Sequence, residues 1–175
     1  MTGSPASGAA KGAAGRSGGN RPRSTARLAA AQALYQMQMT GAPAEHVLSE
    51  FLDHRFREEL DGLSLAAADR TLFGDLLRGV AAEQDELDDM LAAVLDEDWP
   101  VERLETLLLI VLRAGTFELS RRIDVPARVI ISEYVDLADA FFSGKEPGLV
   151  NGVLDRLARA LRPEEFAGAG SPEPG

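Results

Sequence analysis

At 175 residues, 45% of them hydrophobic and with a formal net charge of -10, the chain suits one globular domain with a closed core. It has no cysteine, which excludes disulfides, thiolate nucleophiles and cysteine-ligated zinc or iron–sulfur sites. Its longest aliphatic run, Leu107 to Leu112, is far short of the ~20 apolar residues of a membrane span, and no apolar stretch follows the first positive charges, so a cytoplasmic setting is expected.

The first 27 residues carry Lys11, Arg16, Arg21, Arg23 and Arg27 and no acidic residue, leaving 13 basic against 28 acidic residues in the rest. A basic arm on an acidic body reads either as an interaction tail, with any nucleic-acid contact kept local, or as a solubilising extension. Residues 1–20 are mostly Gly, Ala and Ser and cannot offset the entropy of ordering, so they should be disordered in isolation. The expected organisation is an arm at 1–23, a folded domain at 24–166 and a flexible tail at 167–175, after Arg162-Pro163 stops the last helix.

Ser24 or Thr25 can cap the first helix, whose stripe is Leu28, Ala31, Tyr35 and Met39 and whose end is Gly41. Pro43 opens a second, with Val47, Leu48, Phe51, Leu52 and Phe56 on one face and Gly62 beyond its end. From Ser64 a third segment keeps near-3.6 spacing through Leu65, Leu72, Phe73, Leu76, Val80, Leu87, Leu91 and Val94, as one long helix or two joined near Glu83. Pro100 restarts the pattern, and Leu107–Leu112, apolar all round, marks a central core helix.

Asp124-Val125-Pro126 supplies a cap and a first-turn proline for a helix to about Phe142, with Val129, Ile130, Tyr134, Leu137 and Phe141 inward. After a loop at 143–148, a last helix carries Val150, Val153, Leu154, Leu157 and Leu161. Gly152 within it reads as a close helix–helix contact. No segment alternates convincingly with period two, so the expected class is all-α, with about six to seven helices.

Catalytic patterns are absent. His46 and His54 lie eight residues apart, about 12 Å along a helix, too far to share one metal. Asp85, Glu86, Asp88 and Asp89 lack the turn glycine of a calcium loop and read as a solvated helix face. Neither a phosphate-binding loop nor a Gly-x-Ser-x-Gly elbow occurs. No metal or cofactor is expected, and the pattern favours a binding protein over an enzyme.

Four blocks resemble the NusB family of bacterial transcription antitermination factors. They are Ala26-Arg27-Leu28-Ala29-Ala30-Ala31-Gln32-Ala33-Leu34-Tyr35, Leu112-Arg113-Ala114-Gly115-Thr116-Phe117-Glu118-Leu119, Asp124-Val125-Pro126, and Val150-Asn151-Gly152-Val153-Leu154-Asp155. The resemblance covers about Arg21 to Arg159. It implies an all-helical fold of two packed subdomains and binding of boxA, a single-stranded element of nascent ribosomal RNA transcripts. It further implies a heterodimer with NusE, also a small-subunit ribosomal protein, within an antitermination complex on RNA polymerase. Both monomers and homodimers are compatible with it.

Under that resemblance Arg21, Arg23 and Arg27 are expected RNA contacts, through phosphates or guanidinium–base stacking. Arg27 is expected to be held rigidly in the first helix, and Arg21 and Arg23 to order on binding. Lys145 resembles in position a family loop beside the RNA. Phe141 is either its neighbour there or plain core; Arg113 is either an RNA contact or a core ion-pair partner. Tyr35 and Glu118 are candidates for the NusE side, or structural residues. The arginine cluster is sparser than is usual in the family, Ser132 stands where Asn is common, and Leu149 replaces a common Phe, removing a ring that could stack on a base. About three phosphate contacts imply a log–log salt slope near -2 on single-stranded RNA, hence weak binding alone and tighter binding with NusE.

Two other readings compete. One is a non-enzymatic helical scaffold with an inert arm. The other is an RNA cytosine methyltransferase carrying a similar helical domain, excluded by the want of a nucleophilic cysteine and of a long catalytic domain.

Overall fold

The computed structural model describes residues 21–57, 59–60 and 63–168, so the expectations for the arm's first twenty residues, for Gly62 and for the tail beyond Gly168 lie outside the described residues. The fold is all-α. Among the described residues seven α-helices form it: α1 (Arg21–Thr40), α2 (Ala44–Asp53), α3 (Arg70–Ala82), α4 (Gln84–Val94), α5 (Thr106–Arg121), α6 (Ala127–Phe141) and α7 (Glu146–Leu161). Between α2 and α3 runs a two-residue antiparallel ribbon, β1 (Glu59–Leu60) with β2 (Leu63–Ser64), too short to leave a period-two signature.

Helix α1 begins at Arg21, three residues before the expected cap. Pro22 is tolerated because first-turn amides have no intrahelical acceptor to lose. Neither expected hydroxyl caps the helix: Ser24 Oγ donates to Glu133 Oε2 at 2.6 Å, and Thr25 Oγ1 donates to the Arg21 carbonyl at 2.8 Å. Gly41 ends the helix at φ +71°, the left-handed geometry that favours glycine there. The buried face of α1 is largely alanine (Ala26, Ala29, Ala30, Ala33), so α3 and α5 can pack closely against it.

One packed group comprises α1, α2 and α3, pinned by Phe51, Phe56 and Phe73: the Phe73 ring stacks on Phe51 and meets Phe56 edge-on, with centroids 5.5 and 4.9 Å apart. The other comprises α4 to α7. Helix α5 joins the two, touching α1, α3, α4, α6 and α7, and its residues Ile110 through Leu119 are all buried. The long third segment is two helices meeting at Glu83, and the first starts at Arg70 and not at Ser64, since Asp69 caps it by accepting the Leu72 amide at 3.0 Å.

Five packing expectations need correction, the first two being Tyr35 and Met39 of the α1 stripe, which are 41% and 56% exposed. Val129 and Leu161 are 38% and 40% exposed, at the edges of their stripes rather than on them. At Gly152 an added Cβ would meet only Arg156 Nη2 at 3.7 Å, so no helix approaches there. The close crossings are at Gly79, where a Cβ would lie 2.2 Å from Phe117 Cζ, and at Gly115, where it would lie 2.8 Å from Leu154 Cδ1.

The chain closes on its own core through Arg162. This buried guanidinium donates to the carbonyls of Leu119 (2.9 Å), Glu118 (3.2 Å), Arg122 (2.8 Å) and Val125 (2.5 Å). It thereby gives the Leu119 and Val125 carbonyls a donor and adds a second to those of Glu118 and Arg122, which already accept the Arg122 and Val125 amides. At the start of α6, Glu165 Oε2 accepts the Ala127 amide at 3.1 Å, where Asp124 was the expected cap.

Candidate nucleic-acid interface

The first turn of α1 projects Arg21 and Arg23 into solvent, and among the described residues neither forms an ion pair. They are already helical, where ordering on binding was expected. The Asp69 amide donates to the Pro22 carbonyl at 2.9 Å, so the start of α3 abuts the root of α1. This contact brings in Arg70, an exposed cation that sequence reasoning missed, its guanidinium 5.6 Å from the Phe56 ring centroid. Its only sequence signal is its place one residue after a helix cap. Long-range packing supplies the rest.

Arg27 is different in kind. It is 2% exposed and binds Glu118 through two parallel hydrogen bonds, Nε to Oε2 at 2.7 Å and Nη2 to Oε1 at 2.9 Å. Nη1 lies 3.5 Å from Glu133 Oε2. Burial alone would lower the Arg27 pKa, but the hydrogen bonds and charge of Glu118, with Glu133, push it above its ordinary value. Tyr134 completes the cluster by donating its hydroxyl to Glu118 Oε2 at 2.5 Å. Burial, then the Glu118 charge, holds that phenol well above the usual tyrosine range. The expectations for two residues are corrected: Arg27 is a core ion-pair residue with no face for RNA, and Glu118, fully buried, has none for a partner protein.

Arg113 resolves as an ion pair. It is 7% exposed, and Nε and Nη2 donate to Asp88 Oδ1 and Oδ2 at 2.7 and 2.8 Å, tying α5 to α4. The acidic stretch of α4 is therefore only partly a solvated face, since Glu86 also reaches Arg121 at 3.5 Å. Phe141 is half-buried against the core at the end of α6. Lys145 is exposed at the start of α7, where it lines a cleft with Trp99 and the beginning of α5. Tyr35 is 41% exposed, with Met39, 56% exposed, one turn along α1.

The predicted RNA residues thus separate. Arg21 and Arg23 sit at the end of the bundle where Arg27 meets Glu118 in the last part of α5, and Lys145 sits by its first turns. Glu118 stands ten residues after Leu108 on α5, about 15 Å of helix axis. Both histidines are exposed, and among the described residues no group of three or more His, Cys, Asp or Glu is placed to hold a metal. None of the described helices is long and apolar enough to cross a membrane.

A family model described as the NusB family matches residues 24–159. The chain belongs to the NusB family. It is 51% identical over 146 residues to the transcription antitermination protein NusB of Caulobacter vibrioides, covering 82% of this chain and 98% of that one. It is 46% identical over 145 residues to the protein of that name from Rhodopseudomonas palustris, covering 83% and 86%. Among solved structures, T. maritima NusB superposes with a TM-score of 0.69 at 30% identity, over 83% of this chain and 96% of that chain. A crystal structure of antitermination factors NusB and NusE in complex with double-stranded RNA gives 0.64 at 23% identity, over 80% and 98%, and shows the shared fold. The NusB fold expected from the four sequence blocks is the one observed.

Proposed function

We propose that this chain is a non-enzymatic transcription antitermination factor of the cytoplasm. It binds the single-stranded boxA element of nascent ribosomal RNA together with NusE, in a complex on RNA polymerase. Membership of the NusB family carries this reading. Charge placement supports the RNA half: on a chain of net charge -10, Arg21, Arg23 and Arg70 gather at one end of the bundle, the first two exposed and without acidic partners among the described residues. Phosphates are drawn to such a local patch while the remaining surface repels them. For the partner side, Tyr35 and Met39 offer an exposed strip on α1, and Glu118 is withdrawn from it.

The test is a titration of labelled boxA RNA into the full chain, with and without NusE, at 50 and 200 mM salt. Binding that tightens with NusE and weakens with salt is expected. Want of binding with NusE present at low salt, or nanomolar binding by the lone chain that ignores salt, overturns the reading.

A further inference from the structure

The corner where α7 begins carries a cleft of about 430 Å³, within the range of small-ligand sites. Leu104 and Leu108 line it, both under a tenth exposed, and Leu149 lines it from α7. Trp99, the chain's sole tryptophan, also lines it and is 50% exposed. Arg103 and Lys145, both exposed, line the same cleft and form no ion pair among the described residues. Two carboxylates also border the cleft; Glu146 is occupied with its own loop, accepting the Gly144 amide at 3.1 Å, and Glu105 faces solvent.

We infer that Trp99 is a base-stacking platform for single-stranded RNA, with Arg103 and Lys145 holding the phosphates on either side of one unstacked base. The inference deepens the RNA-binding reading above and rests on it. An exposed aromatic ring over an apolar floor, flanked by cations, is the chemistry that takes up splayed bases. The neighbouring cleft between α4 and α5 sets Asp88, Asp89 and Glu102 against Arg113 alone, a net negative lining, whereas at Trp99 two cations match two carboxylates. A strand reaching from Arg21 to Trp99 must cover at least the ~15 Å of α5 axis between Glu118 and Leu108, several nucleotides. The two cationic places are then one track.

Because the tryptophan is unique, its emission reports on this cleft alone. The full chain is titrated with end-labelled single-stranded RNA, following label anisotropy for binding and tryptophan emission for stacking, with Trp99→Phe as the blank. Quenching that tracks the anisotropy is expected, together with about ten-fold weaker binding by Trp99→Ala and near-parental binding by Trp99→Phe. Anisotropy that rises while emission stays fixed overturns the inference and leaves the RNA reading standing. Emission that responds to the protein partner and not to RNA overturns it too, making the cleft a protein contact. Failure of RNA to bind even with the partner present overturns both.

Discussion

Arg23 and Arg27 stand one turn apart on the same helix, and the fold gives them opposite work. Arg23 is exposed and unpaired among the described residues; Arg27 is sealed at 2% exposure between two carboxylates. The backbone at both is ordinary helix, so what separates them is the partner that long-range packing brings. Glu118, 91 residues away in the chain, captures one guanidinium and leaves the other for solvent or ligand. A basic cluster in sequence is thus a list of candidates, and burial sorts it into scaffold and contact.

The sharpest way to break the comparison is to truncate each arginine in turn. Arg27→Ala leaves Glu118 as a buried carboxylate with only the Tyr134 hydroxyl, and should cost about 3–5 kcal/mol in urea unfolding. Arg23→Ala should stay within about 0.5 kcal/mol of the parent. Equal costs would mean that Arg27 is not held as described.

A second pair concerns glycine. Gly115→Ala pushes a methyl against Leu154 and should destabilise by about 1–3 kcal/mol. Gly152→Ala has room and sits mid-helix, so it should stabilise by about 0.5–1 kcal/mol. Thermal or urea melts read the opposite signs directly, and a loss at Gly152 would put the helix contact back where the sequence pattern first located it.

These contrasts locate what was legible beforehand. Helix class and the central run of α5 followed from apolar spacing, which records burial along one element; the same spacing left one long helix or two joined near Glu83 open. The family blocks identified the fold because they are strings of residue types. Pairing across the chain left no such mark. Nothing local says that Glu118 faces Arg27, that Arg113 meets Asp88, that Arg162 caps α5, or that Arg70 stands beside Pro22. Gly152 drew the packing role because it lacks a Cβ within a helical spacing, whereas Leu154, two residues on, presses against Gly115. Trp99 drew no attention because it follows a helix and belongs to no stripe.

A smaller effect tests the buried cluster through pH. Burial and Glu118 raise the Tyr134 pKa, so above about pH 10 an unfolded tyrosine has released its proton while the folded one still holds it. Unfolding then releases a proton, and stability from this group, complete below pH 10, falls by about 1.4 kcal/mol per pH unit above it. In Tyr134→Phe that component of the alkaline slope should vanish. An unchanged slope between pH 10 and 11 would show that the phenol is not held protonated by its surroundings.

The finest distinction lies in salt dependence, because each phosphate contact on single-stranded RNA adds only about -0.7 to the log–log slope. Withdrawal of Arg27 leaves Arg21 and Arg23 contributing about -1.4 at the root of α1, and Arg103 and Lys145 at the Trp99 cleft add about as much, for a slope near -2.8 and about fifty-fold weakening from 50 to 200 mM. If Arg70 also takes a phosphate the slope steepens to about -3.5, so Arg70→Ala is the informative variant. A drop of about 0.7 in that variant, with urea stability unchanged, extends the patch from α1 onto α3. A parental slope there, combined with a reduced one in the double variant Arg21→Ala/Arg23→Ala, confines it to α1. Should neither variant move the slope, the exposed arginine of the opening comparison is as silent toward RNA as the buried one, and the cations at the Trp99 cleft become the only described candidates for the strand.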